Sequence, residues 1–123
     1  MSSSVGSDGV ALLLVSAPSE VAPNLVRQLV DERWIACGSL LPGVRSVYRW
    51  QGRVEEAEES LLLLKAPRSR EAQLRQRIVE LHPYAVPEIL ELDVRGGHLP
   101  YLTWVIEEGQ PAPSLGEGPE ECG

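Results

Sequence analysis

Four of the six aromatic side chains of this 123-residue chain, taken with a few polar groups, could line a ligand site; the chain has three tryptophans, three tyrosines and no phenylalanine. Tyr48, Trp50, Tyr84 and Trp104, taken with Glu58, Lys65 and His82, combine aromatic walls with a few polar groups. That is the mixture a small-molecule site uses. The expected place for it is a pocket between subunits. The same tyrosines and tryptophans also suit plain packing across a subunit boundary, where such residues are enriched. Glu58 and Lys65, if buried together at such a boundary, must pair.

Other chemistry is thinner. His82 precedes Pro83, so it is expected at a helix C-terminus, where an imidazolium interacts well with the dipole and the ring can bond the last carbonyls. His98 follows Gly96-Gly97 and is assigned no role. Cys37 reads as a small buried hydrophobe, and Cys37 and Cys122 together do not make a disulfide framework. Glu55, Glu56, Glu58 and Glu59 alternate in pairs between two strand faces, too few oxygens per face for a calcium cage. They read as a solvated hairpin end. The chain holds no nucleophilic triad, phosphate loop or Cys-x-x-Cys motif, so the expectation is a protein that is not an enzyme.

The elements that must position these residues follow from periodicity. Leu40–Lys65 reads as one long hairpin turning at Gln51-Gly52, with Val44, Ser46, Tyr48 and Trp50 on one face. In that register Arg45 lies opposite Glu58 and Tyr48 opposite Glu55. Pro42-Gly43 marks a bulge. Leu61–Leu64 makes both faces of the returning strand apolar, so both need cover. Val10–Ser16 reads as a buried central strand. Ser19 is expected to cap a helix with Ala22, Leu25, Val26, Leu29 and Val30 inward, although Pro23 moves its start toward Ala22. Ser69 is expected to cap a second helix, with Leu74, Ile78 and Leu81 inward and Arg70, Arg75 and Arg77 solvated. Pro87–Val94 is a further strand, and Pro100 opens a last helix that packs through Tyr101 or Leu102, Val105 and Ile106.

The order βαββαβ plus a C-terminal helix predicts an α+β fold, the ferredoxin-like split βαβ sandwich. Right-handed crossovers put both main helices on one face of an antiparallel sheet. The other face is left bare, and a homo-oligomer is the expected cover. The domain is expected at residues 10–108, with disordered segments at 1–9 and 109–123. A net charge of −7 argues against nucleic acid and anionic membrane surfaces as partners. The absence of a signal-peptide pattern or of a long apolar run points to a soluble cytoplasmic protein.

Five collinear strings carry a resemblance: Ala36-Cys37-Gly38-Ser39-Leu40-Leu41-Pro42-Gly43, Ser46-Val47-Tyr48-Arg49-Trp50-Gln51-Gly52, the leucine-rich strand ending at Lys65, His82-Pro83-Tyr84 with Pro87-Glu88, and Tyr101-Leu102-x-Trp104. Over about Val10 to Glu107 the chain resembles the CutA family of divalent-cation tolerance proteins. The resemblance implies a ferredoxin-like protomer in a tight homotrimer, a connection to tolerance of copper and other divalent ions, and structural kinship with the trimeric PII signalling proteins. Some animal members are connected instead with anchoring of a cell-surface cholinesterase. The family implies no firmly established catalysis and no required cofactor beyond a weakly held divalent ion such as copper. Copper-binding relatives carry a cysteine and two adjacent histidines at positions occupied here by Val15, Leu81 and His82, so only His82 matches. The alternative reading is a small-molecule-sensing or protein-anchoring scaffold trimer.

Overall fold

The first apolar run, VALLLVSAP, extends as strand β1 (Val10–Pro18) through the middle of a four-stranded antiparallel sheet. The computed structural model describes residues 9–112. Helix α1 (Ala22–Asp31) leads into strands β2 (Cys37–Trp50) and β3 (Arg53–Pro67), and a short 3-10 turn (Arg68–Arg70) opens helix α2 (Glu71–Leu81). Strand β4 (Ile89–Val94) and helix α3 (Leu99–Glu108) complete the order. The strands lie in the order β2-β3-β1-β4, the ferredoxin-like arrangement expected from the sequence.

Strand alternation separates the sheet into two unlike faces. Leu13, Val15, Leu62 and Leu64 point into a core completed by Leu25, Val26 and Leu29 of α1 and Leu74 and Ile78 of α2. Each fully buried leucine contributes roughly 1.5–3 kcal/mol relative to an exposed one. The opposite face presents Leu12 and Leu14 of β1, Leu61 and Leu63 of β3 and Leu90 and Leu92 of β4, in register. Helix α3 covers one end of that face, where Val105 and Ile106 bury Val10.

The hairpin follows its expected register, with Arg45 facing Glu58 and Tyr48 facing Glu55, and it shifts between Leu41 and Val44 where Pro42-Gly43 intervenes. Gln51 and Gly52 both have positive φ, 52° and 79°. That pair of conformations matches the twist of the flanking strands, and the glycine takes it without steric cost. β1 pairs only with Glu59–Pro67 of β3, so the hairpin beyond Glu59 projects past the sheet.

Several local expectations give way to tertiary contacts. Neither Ser19 nor Ser69 caps a helix: the N-caps are Val21 and Arg70, without side-chain hydrogen bonds. Ser19 instead shares a hydrogen bond with Ser60 at 3.0 Å. Val30 is exposed, and α1 ends one residue later in a Schellman turn. There Arg33 takes positive φ, its N–H reaches the Val30 carbonyl, and Trp34 N–H reaches Leu29. Arg70 is not solvated. Its guanidinium lies 4.3 Å from the Trp34 ring centroid and donates to the carbonyls of Arg33 and Gly109 at 2.7 Å. Arg77 bonds Glu32 and Glu80. Gly109 and Gln110, assigned to the tail by the sequence, are tied to the body. Gln110 accepts from Arg33 Nε and donates to the Ile106 carbonyl. The other terminal expectations, and Cys122, lie outside the described residues.

Candidate functional site

A groove of about 690 Å³ opens where the projecting hairpin passes the loop between α2 and β4. Tyr48 and Trp50 of β2 form one wall and Tyr84 of the loop another. Ser16 at the end of β1, Glu59 of β3 and Glu88 supply the polar groups. Glu59 is only 5% exposed. Tyr84 Oη donates to Glu59 Oε2 at 2.7 Å, and Ser16 Oγ donates to Glu88 Oε1 at 3.0 Å. Burial, then the bond to the Glu59 carboxylate, pushes the Tyr84 phenol up to about 12.

His82 fixes this corner from behind. It is the C-cap of α2, but its ring reaches across to β1 rather than bonding the helix's last carbonyls. Tyr84 N–H lies 3.1 Å from Nδ1, so Nδ1 accepts and the proton sits on Nε2, which donates to the Ser16 carbonyl at 2.7 Å. The His82 and Tyr84 rings lie 4.8 Å apart, tilted by 53°. A buried histidine thus locks the start of the loop that carries Tyr84.

The copper pattern does not fit this corner. Val15 and Leu81 offer no donor atoms, and both His82 nitrogens already have partners. Among the described residues no group of three or more His, Cys, Asp or Glu side chains could hold a metal ion. A transition-metal site ordinarily needs three or four such ligands.

The residues proposed from sequence fall into two groups within one chain. Tyr48, Trp50 and Tyr84 share the groove. Lys65 and Trp104 belong to the far end of the same sheet face. There Lys65 donates to Ser39 Oγ at 2.8 Å, and Trp104 lies 5.7 Å from the Tyr101 ring. Tyr101 meets Cys37 Sγ at 3.3 Å, and the sulfur beside it, with burial, pushes this phenol up to about 12. Cys37 is half-buried and in contact with a phenol, rather than a fully buried small hydrophobe. Glu58 points to the opposite sheet face from Tyr48, and the groove's buried carboxylate is Glu59. Alternation alone contains this result, because Glu55, directly opposite Tyr48, shares a face with Glu59 and not with Glu58. Ser16 and Glu88 carried no local signal, since only the β1–β4 pairing brings them together.

A four-stranded βαββαβ sandwich with an aromatic and acidic groove beside the hairpin defines the class: a ferredoxin-like domain with a cleft at one end of its sheet. Residues 11–108 match the family model described as CutA1 divalent ion tolerance protein, and the chain belongs to that family. The divalent-cation tolerance protein CutA of Thermus thermophilus is 44% identical over 97 residues, 78% of this chain and 94% of the relative. The solved Thermus thermophilus structure superposes with a TM-score of 0.77 at 43% identity, covering 80% of this chain and 97% of that one. A Nostoc structure described as the PII-like protein CutA in apo form gives 0.79 at 34% identity, covering 83% and 99%. No helix among the described residues is long and apolar enough to cross a membrane.

Proposed function

We propose that the chain works as a homotrimer in the response to divalent metal ions, copper among them, with no catalytic step. Its family membership supports the metal connection, since the matching model carries divalent ion tolerance in its description. One observation carries the assembly: Leu12, Leu14, Leu61, Leu63, Leu90 and Leu92 form a continuous apolar face that α3 covers only at one end. Leu90 and Leu92 are 52% and 44% exposed in the single chain. Removing such surface from water contributes about 25 cal/mol per Å², and a contiguous apolar patch of this kind marks an interaction surface. A second copy is the occupant proposed, with the projecting hairpin as the arm that reaches it. Metal acts on this trimer as an effector and not as a resident cofactor, because the three-ligand set is incomplete. The cytoplasm is the compartment proposed, where an unpaired thiol such as Cys37 stays reduced.

Light scattering at micromolar concentration is expected to give a trimer. Calorimetric titration with Cu(II) is expected to find no tight stoichiometric site, and His82→Gln to leave the isotherm unchanged. A monomer would overturn the assembly. A tight copper site lost in His82→Gln would overturn the effector reading in favour of copper held at His82. A second reading, a trimer that senses a small molecule or anchors a partner segment, is favoured by the groove at the hairpin base.

A further inference from the structure

We infer that the groove between Tyr48, Trp50 and Tyr84 binds a small organic cation, a quaternary ammonium or a protonated amine. The inference stands on the charge and walls of the groove and does not depend on the metal reading. Buried carboxylates in proteins are almost always matched by a positive group. Glu59 is buried, and its partner is a neutral phenol, Tyr84. The ion pairs formed by lysine and arginine among the described residues involve other carboxylates, and neither Glu59 nor Glu88 takes part in one. No lysine, arginine or histidine side chain lines the groove. Among the described residues of a single chain, no side chain supplies the countercharge.

The walls narrow the chemistry. Three electron-rich rings line the groove together with the two carboxylates, and two of them, Tyr48 and Trp50, stand on the same strand face two residues apart. Rings of this kind attract ammonium groups through their faces, and several rings converging on a carboxylate form the arrangement that recognises quaternary and alkylated ammonium ions. The volume, about 690 Å³, lies within the range of small-molecule sites. Anions are disfavoured, since a phosphate or nucleotide would face Glu59 and Glu88 with no basic residue to receive it. A bare divalent ion is a poor match as well, because among the described residues no group of three or more His, Cys, Asp or Glu side chains comes together to hold one. His82 contributes by position: its two hydrogen bonds hold the Tyr84 loop against the end of β1.

The test is calorimetric titration of the full chain in its native assembly with tetramethylammonium, choline and spermidine. The controls are 3,3-dimethylbutan-1-ol, which has the shape of choline without its charge, and AMP. At least one of the three cations is expected to bind saturably, with the neutral alcohol at least tenfold weaker and AMP silent. Glu59→Gln preserves the shape of the side chain and an acceptor for Tyr84, and is expected to weaken the cation at least tenfold. If Glu59→Gln does not fold, Glu88→Gln and Trp50→Ala at the exposed rim serve in its place, with the same expected direction. No binding of any of the three cations, equal binding of the alcohol, or affinity untouched by these substitutions would overturn the inference. The Cu(II) titration reads the metal proposal separately, so either can fail alone.

Discussion

Leu61, Leu62, Leu63 and Leu64 are four identical residues in a row with two different fates. Leu62 and Leu64 are fully buried beneath α1 and α2, whereas Leu61 and Leu63 are only partly buried on the other sheet face. Nothing in the local sequence distinguishes them except parity. The helix-covered face is a finished core within one chain. The opposite face is finished only at one end, where α3 seals Val10. Stability and the proposed assembly are therefore assigned to alternate residues of one strand.

Substitutions at neighbouring leucines separate these two roles, and the largest effects belong here. Leu62→Ala removes buried methyl groups from a closed core and is expected to cost about 2–5 kcal/mol, read by urea denaturation. Leu63→Asp, or Leu61→Asp, places a charge on the face proposed as the trimer contact. Soluble aggregates or loss of fold are expected there by size-exclusion chromatography with light scattering, a larger effect than any change at His82. A stable, monodisperse trimer carrying either aspartate would break the comparison and move the interface elsewhere.

The same contrast shows what the sequence could disclose. Strand periodicity, the Pro42-Gly43 bulge and the Gln51-Gly52 turn depend on neighbours in sequence, and each stands where it was read. The helix caps read at Ser19 and Ser69 do not. Arg33 takes the left-handed position that glycine usually fills, and Arg70 bridges two helix C-termini by bonding the carbonyls of Arg33 and Gly109. A basic residue gives no sign of either role before the helices meet. Of the residues read as an inter-subunit pocket, Tyr48, Trp50 and Tyr84 line one groove within a single chain, where the buried carboxylate is Glu59. Ser16 and Glu88 are 72 residues apart, and only long-range pairing could join them.

A subtler test of the covered face lies at Gly38, which pairs with Leu64 on the helix side of the sheet. A Cβ there would stand 2.7 Å from Val26 Cγ1 and 2.9 Å from Leu64 Cδ2. Gly38→Ala is therefore expected to destabilise by about 1–3 kcal/mol through overpacking, with the trimer intact. Its neighbour Ser39 faces the other way and is exposed, so Ser39→Ala should leave the denaturation midpoint nearly unchanged. Equal effects at the two positions would mean that the faces do not differ in tightness.

The smallest effect expected concerns the ion pair that joins the two helices of the covered face. Arg77 of α2 reaches Glu32 at the end of α1 through two nitrogens, at 2.7 and 2.8 Å. These bonds, with those from Gln28 and Trp34, hold the Glu32 carboxyl at about 2, below its ordinary 4.5. A depressed carboxylate contributes stability that is complete above its ordinary value and disappears as pH falls through the folded one. Glu32→Gln should therefore lower the urea midpoint at neutral pH. The gap from the parent chain should begin to close below about pH 4.5 and should have largely closed near pH 2. Because the pair is partly exposed, salt should narrow the gap at neutral pH as well. The oligomeric state should not follow this titration, since neither partner lies on the leucine face. A gap that stayed constant with pH would mean that Arg77 holds α1 by packing alone, and dissociation that tracked the Glu32 titration would tie the helix layer to the assembly surface.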